Sequence, residues 1–114
     1  MHELSIALSI VEMATKEVAR HGGSEVKAVH LKLGHLSGVV KDALLFSFEV
    51  ACEDTPLRGS RLIIEEAPVV VYCQACCQER TLPSIQHFCC PVCDMPTMEV
   101  LKGRELEVTA LEIQ

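Results

Sequence analysis

Aromatic residues make up only 4% of the 114-residue chain, and tryptophan is absent. Any core must therefore be aliphatic. Lysine and arginine come singly rather than in clusters, and the formal net charge is −6, with a pI near 5.3. A nucleic-acid surface needs a basic face to neutralise phosphates, and these residues supply none. There is no charged-then-apolar leader with a small-residue cleavage site, and no apolar run long enough to span a bilayer. The expectation is a cytoplasmic protein with neither a membrane nor nucleic acid among its partners. The glycines, at 22, 23, 34, 38, 59 and 103, match neither a dinucleotide fingerprint nor a phosphate-binding loop. Ser5, Ser9 and Ser37 have no His/Asp partners in a motif context. No catalytic residue can be named, and the chain does not read as an enzyme.

What is present is a patterned aliphatic chain, 49% apolar, long enough for one domain with a small stapled module. Residues 3–20 read as a helix with Leu4, Ala7, Leu8, Val11 and Val18 on one stripe and Ile6, Ile10 and Met13 on a second. Glu12, Lys16, Glu17 and Arg20 form its wet side, and His21-Gly22-Gly23 stops it. Residues 25–33 alternate as a half-buried strand, with Val29, Leu31 and Leu33 on one face and His30 and Lys32 on the other. A second helix is expected over 41–52, its stripe formed by Leu44, Leu45, Phe48, Ala51 and Cys52. A second strand follows over 61–66. From Glu99 the strand signal returns, with Leu106, Val108 and Ala110 alternating against Glu105, Glu107 and Thr109. This last strand is expected to rejoin the first two. The fold class is α+β: a small three-stranded sheet with two helices. His21, His30 and His35, and the pair Glu65-Glu66, read as solvated residues, and Cys52 as a core thiol.

Between the second and last strands the composition changes. Residues 69–98 hold six of the seven cysteines, three of the five prolines and only three charged residues. The chain thus divides into an α/β domain, 1–68 plus 99–114, and an inserted module, 69–98. In a reducing compartment the cysteines read as metal ligands or free thiols rather than disulfides. Cys73-x2-Cys76 and Cys90-x2-Cys93 lie thirteen residues apart, the spacing of a zinc ribbon, in which each turn presents two thiolates to a tetrahedral ion. The doublets Cys76-Cys77 and Cys89-Cys90 would also allow CxxxC spacings. The like-spaced register Cys73, Cys76, Cys90, Cys93 is preferred, with Cys77 and Cys89 as neighbouring thiols and His87 as a substitute ligand at most. Iron is the alternative metal, since a CxxC…CPxC pair also holds the iron of rubredoxin-like modules. Only Tyr72 and Phe88 supply aromatics nearby, which favours zinc. A closed four-thiolate site has no open position for catalysis, so it explains folding rather than function.

The first residues offer a different chemistry. A bulky His2 blocks removal of Met1, so the chain is expected to begin Met1-His2. An α-amine has a reference pKa near ~8, low enough to bind a metal at cellular pH. The amine, the His2 amide nitrogen and the imidazole form two fused chelate rings, and Glu3 can add its amide or carboxylate. Such a planar, nitrogen-rich set suits Ni(II) or Cu(II) rather than tetrahedral Zn(II). The alternative is a solvated terminal histidine.

These features occur together: an opening MHELS, a helix, a strand ending Gly34-x-Leu36-Ser37, the Phe46-x-Phe48-Glu49 segment and an inserted CxxC…CPxC module. In this order they resemble the HypA/HybF family, nickel metallochaperones for maturation of nickel–iron hydrogenases, over essentially the whole chain. The resemblance implies a transferable Ni(II) on Met1, His2 and Glu3, and a structural Zn(II) on Cys73, Cys76, Cys90 and Cys93. It implies two partners, a nickel-handling GTPase and the precursor of the hydrogenase large subunit, and a chain that is a monomer or weak homodimer. Two departures stand out. Many relatives place a His directly after each CxxC, where this chain has Cys77 and Asp94. Some offer a carboxylate at the start of the second helix, where this chain has Val39-Val40-Lys41, with Asp42 just beyond. The rival readings are a zinc-ribbon interaction module and a rubredoxin-like electron carrier.

Overall fold

The computed structural model describes residues 2–23 and 25–114. Helix α1 (Glu3–Arg20) leads into strand β1 (Val26–Gly34), helix α2 (Lys41–Ala51) and strand β2 (Arg61–Ala67). The chain continues through β3 (Val70–Cys73), β4 (Gln78–Thr81), β5 (Val100–Lys102) and β6 (Leu106–Ile113). The strands form two three-stranded sheets, ordered β2-β1-β6 and β4-β3-β5. The last strand thus joins β1, as its alternation predicts. The chain divides into two compact units: Met1–Leu31, Val39–Glu65 and Glu107–Gln114 form the first, Lys32–Gly38 and Glu66–Leu106 the second.

In the first unit α1 packs against α2. The buried face of α1 is Ala7, Ile10, Val11, Ala14 and Val18. Ala7 and Ala14 are fully buried, and their small side chains let the partner approach closely. Leu4 and Leu8, expected on this stripe, are instead 46% and 51% exposed. At about 100° per residue they fall on one flank of the arc centred on Ala7 and Ala14, so the pattern identifies the helix but misplaces its centre. The helix ends in a Schellman motif: Gly23 N–H donates to the Val18 carbonyl (3.0 Å) and Gly22 N–H to that of Ala19 (3.3 Å). Gly22, at φ +67°, takes the left-handed turn that this motif requires. On α2, Leu44, Phe48, Ala51 and Cys52 are buried, each large apolar side chain contributing on the order of 1.5–3 kcal/mol. Leu45 is only half-buried.

In the second unit β3 is the central strand, antiparallel to both β4 and β5. Val69, Val71 and Leu82 are its buried apolar cluster, with Leu36, Phe88 and Val100 packed against them. The strand signal after Glu99 proves to be two strands. Buried Gly103, at φ +129°, breaks it, so that β5 pairs with β3 and only β6 pairs with β1.

Candidate metal centre

The first knuckle is the turn of the β3–β4 hairpin. Register pairs Cys73 with Gln78, leaving residues 74–77 to reverse the chain. The Cys76 N–H points at the Cys73 sulfur (3.4 Å). The second knuckle is framed by a miniature hairpin: Cys89 bridges Pro96, Cys90 N–H donates to the Met95 carbonyl (2.8 Å), and Thr97 N–H to that of Phe88 (2.9 Å). The Thr97 hydroxyl donates to the Tyr72 carbonyl (2.7 Å) and so ties this hairpin to β3, beside Cys73. Both knuckles end alike. Cys77 (φ +54°) and Asp94 (φ +64°) each follow the second cysteine of a CxxC pair in the left-handed region. These are the positions where the resemblance leads one to look for histidine.

The sulfurs of Cys73, Cys76, Cys90 and Cys93 all lie within 4.8 Å of one another. Cys73 Sγ is 3.5 Å from Cys93 Sγ, and Cys76 Sγ is 4.0 Å from Cys90 Sγ. A tetrahedral Zn(II) with bonds near 2.3 Å has sulfur–sulfur edges of ~3.8 Å, so the donor set and its spacing fit that ion. Cys73 and Cys90 are buried, Cys76 is half-buried and Cys93 exposed. Of the alternative donors, Cys77 is exposed and turns its thiol to the Gln74 carbonyl (3.3 Å). Neither Cys89 nor His87 joins the cluster among the described residues. The amides of Cys93 and Val92 favour the Cys90 thiolate and hold it down at about 6. At Cys93 the Met95 amide acts in the same direction, but lost hydration and contact with Cys73, Cys76 and Cys90 outweigh it and push the thiol up to about 12. A group that sequence reasoning missed completes the surroundings. Arg80, on β4, has its Nη1 on Gln78 Oε1 (2.8 Å), opposite Cys73, and interaction with the Cys76 and Cys90 thiols holds it above its ordinary range. The signal in the sequence is that it is the lone lysine or arginine of 69–98. Cys52 is separate, a core thiol raised to about 11 by burial and by Glu53.

At the other candidate site, Met1 lies outside the described residues. His2 is exposed and extended (φ −89°, ψ 109°) as the N-cap of α1, with no side-chain capping bond. Its carbonyl accepts the Ile6 N–H (3.2 Å). The Glu3 carboxylate accepts the N–H of Val40, the N-cap of α2, at 3.1 Å. That bond holds the Glu3 carboxyl below its ordinary range and ties the start of α1 to the start of α2. The helix at the terminus is thus anchored, which terminal segments rarely are without such a tie.

An α+β chain with two helices and four thiols gathered from two hairpin knuckles defines a small metal-binding protein. The comparisons with known proteins make that class specific. A family model described as hydrogenase/urease nickel incorporation, metallochaperone, hypA matches residues 1–113. The chain is 54% identical over 112 residues to hydrogenase maturation factor HypA of Chloroflexus aurantiacus, covering 98% of each chain. It is 50% identical over 114 residues to the same factor of a Roseiflexus species, covering 100% of this chain and 93% of the relative. Its fold is similar to the solution structure of the Ni metallochaperone HypA from Helicobacter pylori, with a TM-score of 0.68 at 20% identity, covering 99% of this chain and 97% of that one. The chain belongs to the HypA family of metallochaperones for nickel incorporation.

Proposed function

We propose that this chain carries Ni(II) on its first residues and delivers it for maturation of nickel–iron hydrogenase, without catalysing a reaction. The ion would sit on the Met1 amine, the amide and imidazole of His2, and the amide or carboxylate of Glu3. The observation that carries the proposal is the exposed, extended His2 immediately before a helix whose first turn is fixed by the Glu3–Val40 hydrogen bond. An anchored start with an exposed imidazole suits a carrier: the segment that bears the donors is tied down, yet the site stays open for ligand exchange. Nitrogen donors of this kind suit Ni(II). Zn(II) is proposed as the resident structural ion of Cys73, Cys76, Cys90 and Cys93, and the protein loaded with zinc alone should be colourless. The nickel site belongs to residues 1–68 plus 99–114 and the zinc site to 69–98. Delivery calls for a nickel-handling GTPase and the large-subunit precursor as partners in the cytoplasm, with the carrier a monomer or weak homodimer.

Calorimetry tests the nickel site. Ni(II) is titrated into the unmodified chain, into His2→Ala, and into a version with residues added before Met1. The expected result is a loss of at least tenfold in affinity in both altered proteins. Equal affinity in all three would refute the terminal site.

A further inference from the structure

Four thiolates around Zn(II) leave a net charge of −2, which must be offset if it is to sit partly buried. The stretch 69–98 contains one residue from lysine and arginine, Arg80. Strand β4 sets it opposite Val71, two residues from Cys73. One arm of its guanidinium, Nη1, is spent on Gln78 Oε1 at 2.8 Å. Its Nε is buried and has no hydrogen-bond partner. A buried, unpaired guanidinium N–H is expensive, and the bond to Gln78, the cross-strand partner of Cys73, holds this one beside the first knuckle, where the Cys76 and Cys90 thiols favour its charged form. These are one sulfur from each knuckle.

We propose that Arg80 is the outer partner of the tetrathiolate, donating N–H···S bonds to Cys76 and Cys90 and offsetting the site's negative charge. The inference rests on the four-cysteine site holding a metal. Arg80 binds no metal itself; it positions two ligands and slows their protonation and departure. In this chain it acts across the two knuckles, so its removal should affect retention of the ion more than the fold of either turn. Outer partners of metal ligands typically change affinity by about 10–100-fold when removed.

The test uses the full chain with Arg80→Gln and Arg80→Lys. Metal content is measured first: one zinc per unmodified chain upholds the four-cysteine reading, and much less than one refutes that reading separately. Zinc transfer to a chromophoric chelator is then followed, together with the sulfur-to-metal charge-transfer bands of the Co(II)-substituted proteins. Arg80→Gln should release zinc about 10–100-fold faster. Its Co(II) charge-transfer bands should move to lower energy, because thiolates stripped of donors hold their electrons less tightly. Arg80→Lys keeps the charge but not the fork and should fall between the two. A Gln variant with unchanged release and unchanged Co(II) bands would overturn the proposal. So would a Lys variant no better than Gln, since charge would then not be the cause. Should the Gln variant fold poorly, the Lys protein alone decides: faster release with shifted bands supports the role, and unmodified behaviour on both readouts overturns it.

Discussion

A methyl group at Gly34 would collide with the carbonyl of Gly103. The backbone there is close-packed: Gly34 N–H donates to the Glu105 carbonyl (2.8 Å), and Leu36 N–H to that of Gly103 (2.6 Å). Gly34→Ala must push one backbone away from another, and should cost about 1–3 kcal/mol, read as a lowered midpoint in thermal unfolding. The sequence marks Gly34 only as the end of a strand; its close neighbour lies sixty-nine positions along the chain. The same limit applies to the cysteines. Spacing leaves two choices in each pair, Cys76 or Cys77 and Cys89 or Cys90. In the folded chain it is Cys76 and Cys90 whose sulfurs gather with those of Cys73 and Cys93, while left-handed Cys77 turns its thiol to a carbonyl of its own turn. Arg80 is visible as a residue type in the sequence, but its place beside the first knuckle follows from strand register, which periodicity does not supply.

Among the elements, both helices and the strands of the first sheet are legible because their apolar periods are strong and their ends are punctuated by Gly22, Gly34 and Pro68. The break between β5 and β6 is not, since alternation alone does not say that Gly103 hands the chain from one sheet to another. The hydrogen bond between helix starts is equally invisible in the sequence, because Val40 contributes only its backbone. It has a testable pH dependence. The folded protein holds the Glu3 carboxyl below the ordinary 4.5, chiefly through the Val40 N–H. A carboxyl lowered by folding contributes stability above its ordinary value and loses it as pH falls through the lowered one. The Val40 amide resonance should therefore titrate with a midpoint below 4.5. In Glu3→Gln, which keeps an oxygen acceptor but no charge, it should not follow that titration.

At the scale of the whole molecule, the two units differ in what stabilises them. The first buries the α1 and α2 faces, including Val11, Val18, Leu44 and Phe48. The second has Val69, Val71 and Leu82 as its buried cluster, too little apolar surface for so many turns to order on their own. Metal binding is then folding energy for that unit. Removing the metal with a chelator should raise amide hydrogen exchange across Glu66–Leu106 while the helical amides of the first unit keep most of their protection. Equal loss in both would show that the four-thiol site supports the whole chain. The hairpin that carries the first knuckle also bears on assembly kinetics and on natural length variation. Its two thiols come together by closing a turn of only four residues, 74–77, so half of the site can form locally. The other half must arrive across the thirteen residues between Cys76 and Cys90. Closure entropy rises only logarithmically, by about 0.6 kcal/mol for each doubling of a flexible loop. The exposed stretch 83–87 of that connection, beyond β4 and buried Leu82, can therefore lengthen in evolution, or accept an engineered insertion, at roughly threefold in metal affinity per doubling, whereas one extra residue within either knuckle would disrupt the site.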